Sequence, residues 1–261
     1  MLHNHLFGPI QSRRLGTSLG VDLIPFKTCS MNCIYCECGA TTALTLVRKD
    51  YVPTAEVIAE LDDLLAARPH LDSITFSGAG EPTLAANIGA VIAHLKTHYP
   101  EYLVTVITNS SLLSQQAVRD DLACADIIIP SLNAVSENVF KQLNRPMATL
   151  SAETIIEGLI ALRNETAGMI WLEIFIVPGL NDQEAELRKM KTAIDEIRPD
   201  KIQLNTLARP GTESTTPPAT PEQLAQVAAR LAPTPVEIYG GSETAGPNDP
   251  VPRFAPHPGC G

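Results

Sequence analysis

The chain has 261 residues, 44% of them hydrophobic and 18% charged, which fits one large domain with a sizeable core and excludes wholesale disorder. Its longest apolar runs, such as IIIPSL and WLEIFIV, are far too short to cross a bilayer. The opening MLHNHLFGPIQSRR lacks the apolar stretch of an export signal, so a cytoplasmic location with no membrane partner is the expectation. A net charge of −10 disfavours broad binding to nucleic acid. Residues 1–50 depart from that balance, because Arg13, Arg14, Lys27, Arg48 and Lys49 outnumber Asp22, Glu37 and Asp50.

Val21–Ile24 reads as a short apolar strand running into a cysteine-rich loop. Thr54 is placed to cap a helix that carries Val57, Ile58, Leu61, Leu64 and Leu65 at helical spacing. Ser73–Phe76 is a strand ending at SGAGEP, and a helix over Asn87–Thr97 follows. Leu103–Ile107 is the next strand, ending at Thr108-Asn109-Ser110. Gln115–Ala123 is helical, and Asp126–Pro130 is a strand ending at Ser131-Leu132-Asn133. Helices near Ser136–Leu143 and Ala152–Asn164 lead to a strong strand, Ile170–Val177, which stops at Pro178-Gly179. A helix over Gln183–Arg198 and a strand over Lys201–Asn205 come next. Thr220-Pro221-Glu222-Gln223 combines a capping box with proline at the first helical position, and opens a helix to about Leu231. Val236–Tyr239 reads as a last short strand. Residues 1–240 form the expected domain, and 241–261, rich in Gly and Pro, an irregular tail.

Six strands each leading into a helix imply an α/β fold with a parallel sheet. No glycine-rich dinucleotide turn follows the first strand, which disfavours a Rossmann site. In parallel β/α architectures, chemistry gathers at the carboxyl ends of the strands. Glu173 alternates with Leu172 and Ile174 on a strand that lines the interior, where a carboxylate is costly unless paired or functional. Gln203 and Asn205 share one face of their own strand.

Four of the six cysteines, at 29, 33, 36 and 38, fall within ten residues. Without an export signal, such a cluster points to metal or redox chemistry. Cys29, Cys33 and Cys36 are spaced to wrap one soft metal centre. Three ligands suit a [4Fe–4S] cluster with one open iron. Cys38 as a fourth ligand suits a structural zinc, although zinc modules usually pair two short clusters across a longer spacer. Cys124 is expected in the core, and Cys260 is either idle or reaches the site.

CSMNCIYC, with an aromatic residue before the third cysteine, resembles the signature of the radical S-adenosylmethionine (SAM) superfamily. TFSGAGEPTL resembles its Gly-Gly-Glu motif, with Ala79 where glycine is commoner. Further stretches, including PSLNA, Asn144-Arg145-Pro146, IWLEIFIVPGLND and IQLNTLARP, resemble the bacterial branch related to wyosine-tRNA synthases. The resemblance runs from about Phe7 to Arg209 and implies a partial (β/α)6 TIM-like barrel.

It also implies that Cys29, Cys33 and Cys36 bind three irons and that SAM chelates the fourth. The Gly80–Glu81 region would hold the SAM amino group. Tyr35 would lie near the adenine, with backbone from Val177 and Leu207. Asn109, Ser131 and Asn133 are candidates for ribose and carboxylate contacts. Reductive cleavage of SAM would give a 5′-deoxyadenosyl radical that removes a substrate hydrogen, with a flavodoxin- or ferredoxin-like donor supplying the electron. Arg13, Arg14 and Lys27 either hold an anionic group of the substrate or of SAM, or are simply solvated. Glu173, Gln203 and Asn205 are candidate substrate contacts. Cys38 is a spectator, and His3 and His5 carry no role. Three functions follow: a radical enzyme on a small metabolite or protein partner, a tRNA base-modifying enzyme, or a non-catalytic iron–sulfur electron carrier. Net charge, and the lack of any cysteine before Cys29 for a second cluster, weigh against tRNA.

Overall fold

Every second residue of the central strands is a buried aliphatic: Val104, Val106, Ile128, Ile170, Leu172, Ile174, Ile202 and Leu204. Such alternation makes one face of a sheet that must be covered by helices. The computed structural model describes residues 3–239. Six parallel neighbours build the wall: β2 (Gly16–Val21), β5 (Ser73–Phe76), β6 (Leu103–Thr108), β7 (Ile127–Pro130), β8 (Met169–Phe175) and β9 (Lys201–Asn205). An edge strand joins each end, antiparallel β1 (Leu6–Ser12) beside β2 and parallel β10 (Val236–Ile238) beside β9. A separate parallel pair, β3 (Thr28–Cys29) and β4 (Ala43–Leu44), lies in the cysteine loop. The result is a partial α/β barrel with its strand ends gathered at one mouth. Cys260 and the tail 241–261 lie outside the described residues.

Helices α1 (Thr54–Leu65), α2 (Ile88–His98), α3 (Gln116–Leu122), α4 (Glu137–Asn144), α5 (Ala152–Glu165), α6 (Glu184–Ile197) and α7 (Pro221–Leu231) join the strands, and their apolar stripes cover the outer face of the sheet. The capping box at Thr220 and Gln223 forms as expected. Thr54 does not cap α1. Pro53 holds the cap position, and the Thr54 hydroxyl accepts from Asn87 instead. The first wall strand is Gly16–Val21 and not the expected Val21–Ile24, since beyond Val21 the Asp22 carboxylate turns back to accept the Ile24 N–H. Cys124 packs half-buried just past α3 and, unlike the four loop cysteines, is not a free thiol. His3 and His5 lie against Asp63 and Glu56 of α1.

The inner face is split by chemistry. Hydroxyls of Ser18, Thr75, Ser73 and Thr105 hydrogen-bond in a ladder across β2, β5 and β6. Opposite them Leu15, Ile127, Ile129 and Trp171 form a small apolar cluster. The turn between β1 and β2 crosses the open side of the barrel. Arg13 donates to the Tyr239 carbonyl beyond β10, and Arg14 reaches Glu173 on β8 and Gln203 on β9.

Candidate active site

The cysteine loop leaves β2 and is pinned on two sides. Pairing of β3 with β4 aligns Cys29 with Leu44. The Asn32 N–H donates to the carbonyls of Asn144 and Arg145, and the Ile34 N–H to that of Leu143, so the loop sits on the carboxyl end of α4. Lys27 enters the loop at φ 56°, a left-handed conformation that lysine rarely adopts. Its carbonyl accepts from Thr42 and Ala43, which hold it there.

Three loop sulfurs each face one nitrogen donor from a different element. Asn109 Nδ2 lies 3.4 Å from Cys29, Asn144 Nδ2 3.4 Å from Cys33, and Lys27 Nζ 3.1 Å from Cys36. Cys38 is exposed, with its thiol beside the Cys36 sulfur. Burial, with the nearby Glu81 carboxylate, pushes the Cys29 thiol up to about 12. Burial likewise lifts Cys33 to about 11 against the pull of hydrogen bonds from Tyr35 and Asn144. Donors aimed at buried sulfurs suit thiolates that carry metal, since metal binding supplies the deprotonation that burial resists. Among the described residues no three His, Cys, Asp or Glu side chains converge on a single ion. The three thiols, each with its own nitrogen donor, fit a four-iron cluster that leaves one iron open.

Gly80 and Glu81 sit under the loop. A Cβ on Gly80 would lie 2.3 Å from the Thr28 carbonyl oxygen and 2.4 Å from Ile24 Cγ2, so only glycine lets the strand end pass beneath the cysteines. Glu81 is 2% exposed. Its carboxylate accepts from Thr83 N, Thr83 Oγ1, Thr108 Oγ1 and Asn109 N, at 3.0, 2.6, 2.6 and 2.7 Å. Burial raises its pKa, while these four donors pull the other way. Glu81 therefore ties the ends of β5 and β6 together, which is more than a reach toward an amino group. Glu81→Gln turns one acceptor into a donor facing donors. The expected cost is about 1–3 kcal/mol for the group left unpaired, read as a lower denaturant midpoint with unchanged slope.

Most of the remaining implied SAM contacts are engaged in hydrogen bonds within the protein. Asn109 Nδ2 also donates to Ser30, and its Oδ1 accepts from the Ser111 N–H. Tyr35 stacks on Phe175 with ring centroids 4.3 Å apart. Its hydroxyl accepts from Asn133 Nδ2 at 2.6 Å and Asn144 Nδ2 at 3.1 Å. Asn133 Oδ1 accepts the Phe175 N–H. Fully buried Asn181 holds three backbone groups, donating to the carbonyls of Asn133 and Phe175 and accepting from Val177 N. The Val177 carbonyl accepts from Leu180 and Asn181. Both backbone groups of Val177 are thus engaged within its own turn. Leu207 is buried beside the strap described below.

On the barrel axis Glu173 is the hub. Arg14 Nη1 lies 2.6 Å from its Oε1, Asn205 Nδ2 lies 3.4 Å from the same oxygen, and Ser131 Oγ lies 3.2 Å from Oε2. Glu173 pairs in register with Gln203, whose Oε1 accepts from Arg14 at 3.3 Å. A guanidinium offers only donors, so the Gln203 Nε2 must point the other way. It is buried, with no hydrogen-bond partner among the described residues. The structure thus brings Ser131, Glu173, Gln203 and Asn205 together. Arg13 does not join them, being extended along the edge to Tyr239. Its neighbour Arg14 does.

A strap after β9 covers the cysteine loop. Glu37 accepts from the N–H groups of Ala208 and Arg209 and from the Arg209 side chain. The Glu213 N–H donates to the Ile34 carbonyl, and Glu213 pairs with Arg145. A Cβ on Gly211 would lie 2.8 Å from Tyr35 Cα. Sequence reasoning missed Asn144, Asn181 and Glu37. Asn144-Arg145-Pro146 and LND stood within the quoted stretches, but their side-chain partners lie up to 111 residues away.

The Radical SAM superfamily model matches residues 23–190. The chain therefore belongs to the radical SAM superfamily, whose members are enzymes that bind a [4Fe–4S] cluster and SAM, and the donor set around the three thiols fits such a cluster. The chain is 40% identical over 204 residues to the GTPase Obg of Brachyspira hyodysenteriae, covering 78% of this chain but only 30% of that protein. It is 32% identical to a UPF0026 protein of Methanocaldococcus jannaschii, covering 85% of this chain and 70% of the relative. The structure of a radical SAM methyltransferase from Sphaerobacter thermophilus shares the fold at TM-score 0.62, with 19% identity, over 85% of this chain and 66% of that one. Among the described residues no helix is long and apolar enough to cross a membrane.

Proposed function

We propose that Cys29, Cys33 and Cys36 hold three irons of the cluster, that the fourth iron takes SAM, and that the substrate is a small molecule or a protein. The carrying observation is the matched set of donors, one nitrogen each for these three sulfurs and none of that kind for Cys38. When bound and reduced by an external one-electron donor, the cluster supplies the electron that splits SAM into methionine and a 5′-deoxyadenosyl radical. The protein's own residues do the rest. Asn109, Asn144 and Lys27 orient the thiolates. Glu81 and Asn181 fix the strand ends that surround the mouth. Arg14, Glu173 and Gln203 present a polar floor on which a substrate can be oriented.

The net charge of −10 supports a small or protein substrate over tRNA, which would gain from a basic surface. The branch resembling wyosine-tRNA synthases remains a resemblance of motifs, and the sequence relatives above carry other names. The test is anaerobic: load the protein with iron and sulfide, reduce it, add SAM and quantify 5′-deoxyadenosine. Product above the protein-free control is expected. Zinc retained in place of iron, or an intact cluster with no SAM cleavage even with candidate substrates, would overturn the proposal.

A further inference from the structure

Lys27 is 3% exposed, yet it has no carboxylate partner among the described residues. Its one hydrogen-bonding neighbour through the side chain is the Cys36 sulfur, at 3.1 Å. A buried ammonium without a counter-charge is costly. The backbone accepts a left-handed φ of 56° at this same residue, so the fold gives up favourable conformation to put the side chain where it is. Something anionic must meet it. A solvated lysine does not match an ammonium that is buried and turned onto a sulfur.

We propose that Lys27 is a positioning residue that acts as the fixed counter-ion of the iron–sulfur cluster and raises its reduction potential. The inference rests on the ligand assignment of Cys29, Cys33 and Cys36. Reduction moves one electron from an external donor onto the cluster, which makes the thiolate-ligated group one unit more negative. A fixed cation in a low-dielectric site stabilises that reduced form more than the oxidised one, and hydrogen bonds to the sulfurs act in the same direction. Asn109 and Asn144 provide neutral donors to the other two sulfurs. Lys27 alone brings a full charge.

The experiment is a redox titration followed by electron paramagnetic resonance on reconstituted, SAM-free protein, with iron counted and circular dichroism recorded in each sample. Wild type is compared with Lys27→Gln, Lys27→Met and Lys27→Arg. Lys27→Gln keeps a donor and loses the charge, so it separates the two effects. A more negative midpoint in the Gln and Met variants, with Lys27→Arg near wild type, is the expected result. Folded Gln and Met variants that hold no iron while Lys27→Arg is loaded would equally support the counter-ion role. A wild-type midpoint in both uncharged variants, with iron fully loaded, would overturn it. Loss of iron from all three variants would overturn it too, because shape and not charge would then be what the site needs. Iron absent from the wild type would instead sink the ligand assignment, and the inference with it.

Discussion

Alanine at Cys29, Cys33 or Cys36, one at a time, is expected to remove the cluster and bring 5′-deoxyadenosine formation below about one hundredth of wild type, beyond the 10–100-fold typical of losing a supporting contact. The reason lies in how the loop is held. Cys29 is fixed by β3–β4 pairing, Cys33 by the end of α4, and Cys36 by the turn in which its N–H donates to the Cys33 carbonyl. No neighbouring thiol can slide into a vacated place without breaking one of these anchors. Cys38→Ala is the internal comparison. That residue is exposed and lies outside the set of donors, so iron content and product should stay within about 2-fold of wild type, the scatter of ordinary surface changes. Iron content read by colorimetry and product by chromatography settle the matter together. A Cys38→Ala variant that loses iron while Cys36→Ala keeps it would transfer the third ligand to Cys38.

The largest stability loss is expected at Asp126. Lys96 and Asp126 are both nearly buried, and both carboxylate oxygens accept from the ammonium, at 2.9 and 2.8 Å. One of those oxygens also accepts the Val104 N–H at 2.7 Å. Asp126→Ala strands a buried cation and a buried amide at once. Breaking one partner of such a pair costs about 3–5 kcal/mol, and at roughly 2–4 °C per kcal/mol for a domain of this size the melting temperature should fall by about 6–20 °C. Replacing both residues with apolar ones should recover most of the loss, since it is the unpaired charge that is costly. Calorimetry on the two variants checks this. A drop under about 1 kcal/mol for Asp126→Ala, the value of an exposed pair, would mean that water reaches the lysine.

Five of the six wall strands were legible as short strand-forming runs closed by polar, turn-forming residues, as in Ile127–Pro130 before Ser131, whereas Gly16–Val21, sequence GTSLGV, is no apolar run and was not. The capping box at Thr220 was legible because its chemistry is local. The edge strand Leu6–Ser12 was not. It is exposed along most of its length and has no core-facing alternation, so only pairing with β2 makes it a strand. At the site, the cysteine spacing carried the chemistry, but the supporting shell was hidden. Arg14 and Arg13 look alike in sequence, and only the turn geometry sends one inward to Glu173 and the other outward to Tyr239. Lys27 read as a solvated or substrate-binding charge because nothing local announces burial. The Asn181 amide is spent on strand ends that lie next to it only after folding.

The turn carrying Arg13 and Arg14 also dictates an order of events. Its partners on β8, β9 and beyond β10 lie 159, 189 and 226 residues downstream. Contacts across so much chain pay their loop-closure entropy late. During synthesis the first hairpin is made long before the strands it will bridge, and its side chains stay unsatisfied until the last of them arrives. Closing the open side of the barrel must therefore wait until those strands are in place. The polar floor of the site is completed only at that step, so a chain stopped short of β9 would carry the whole cysteine loop and an incomplete floor.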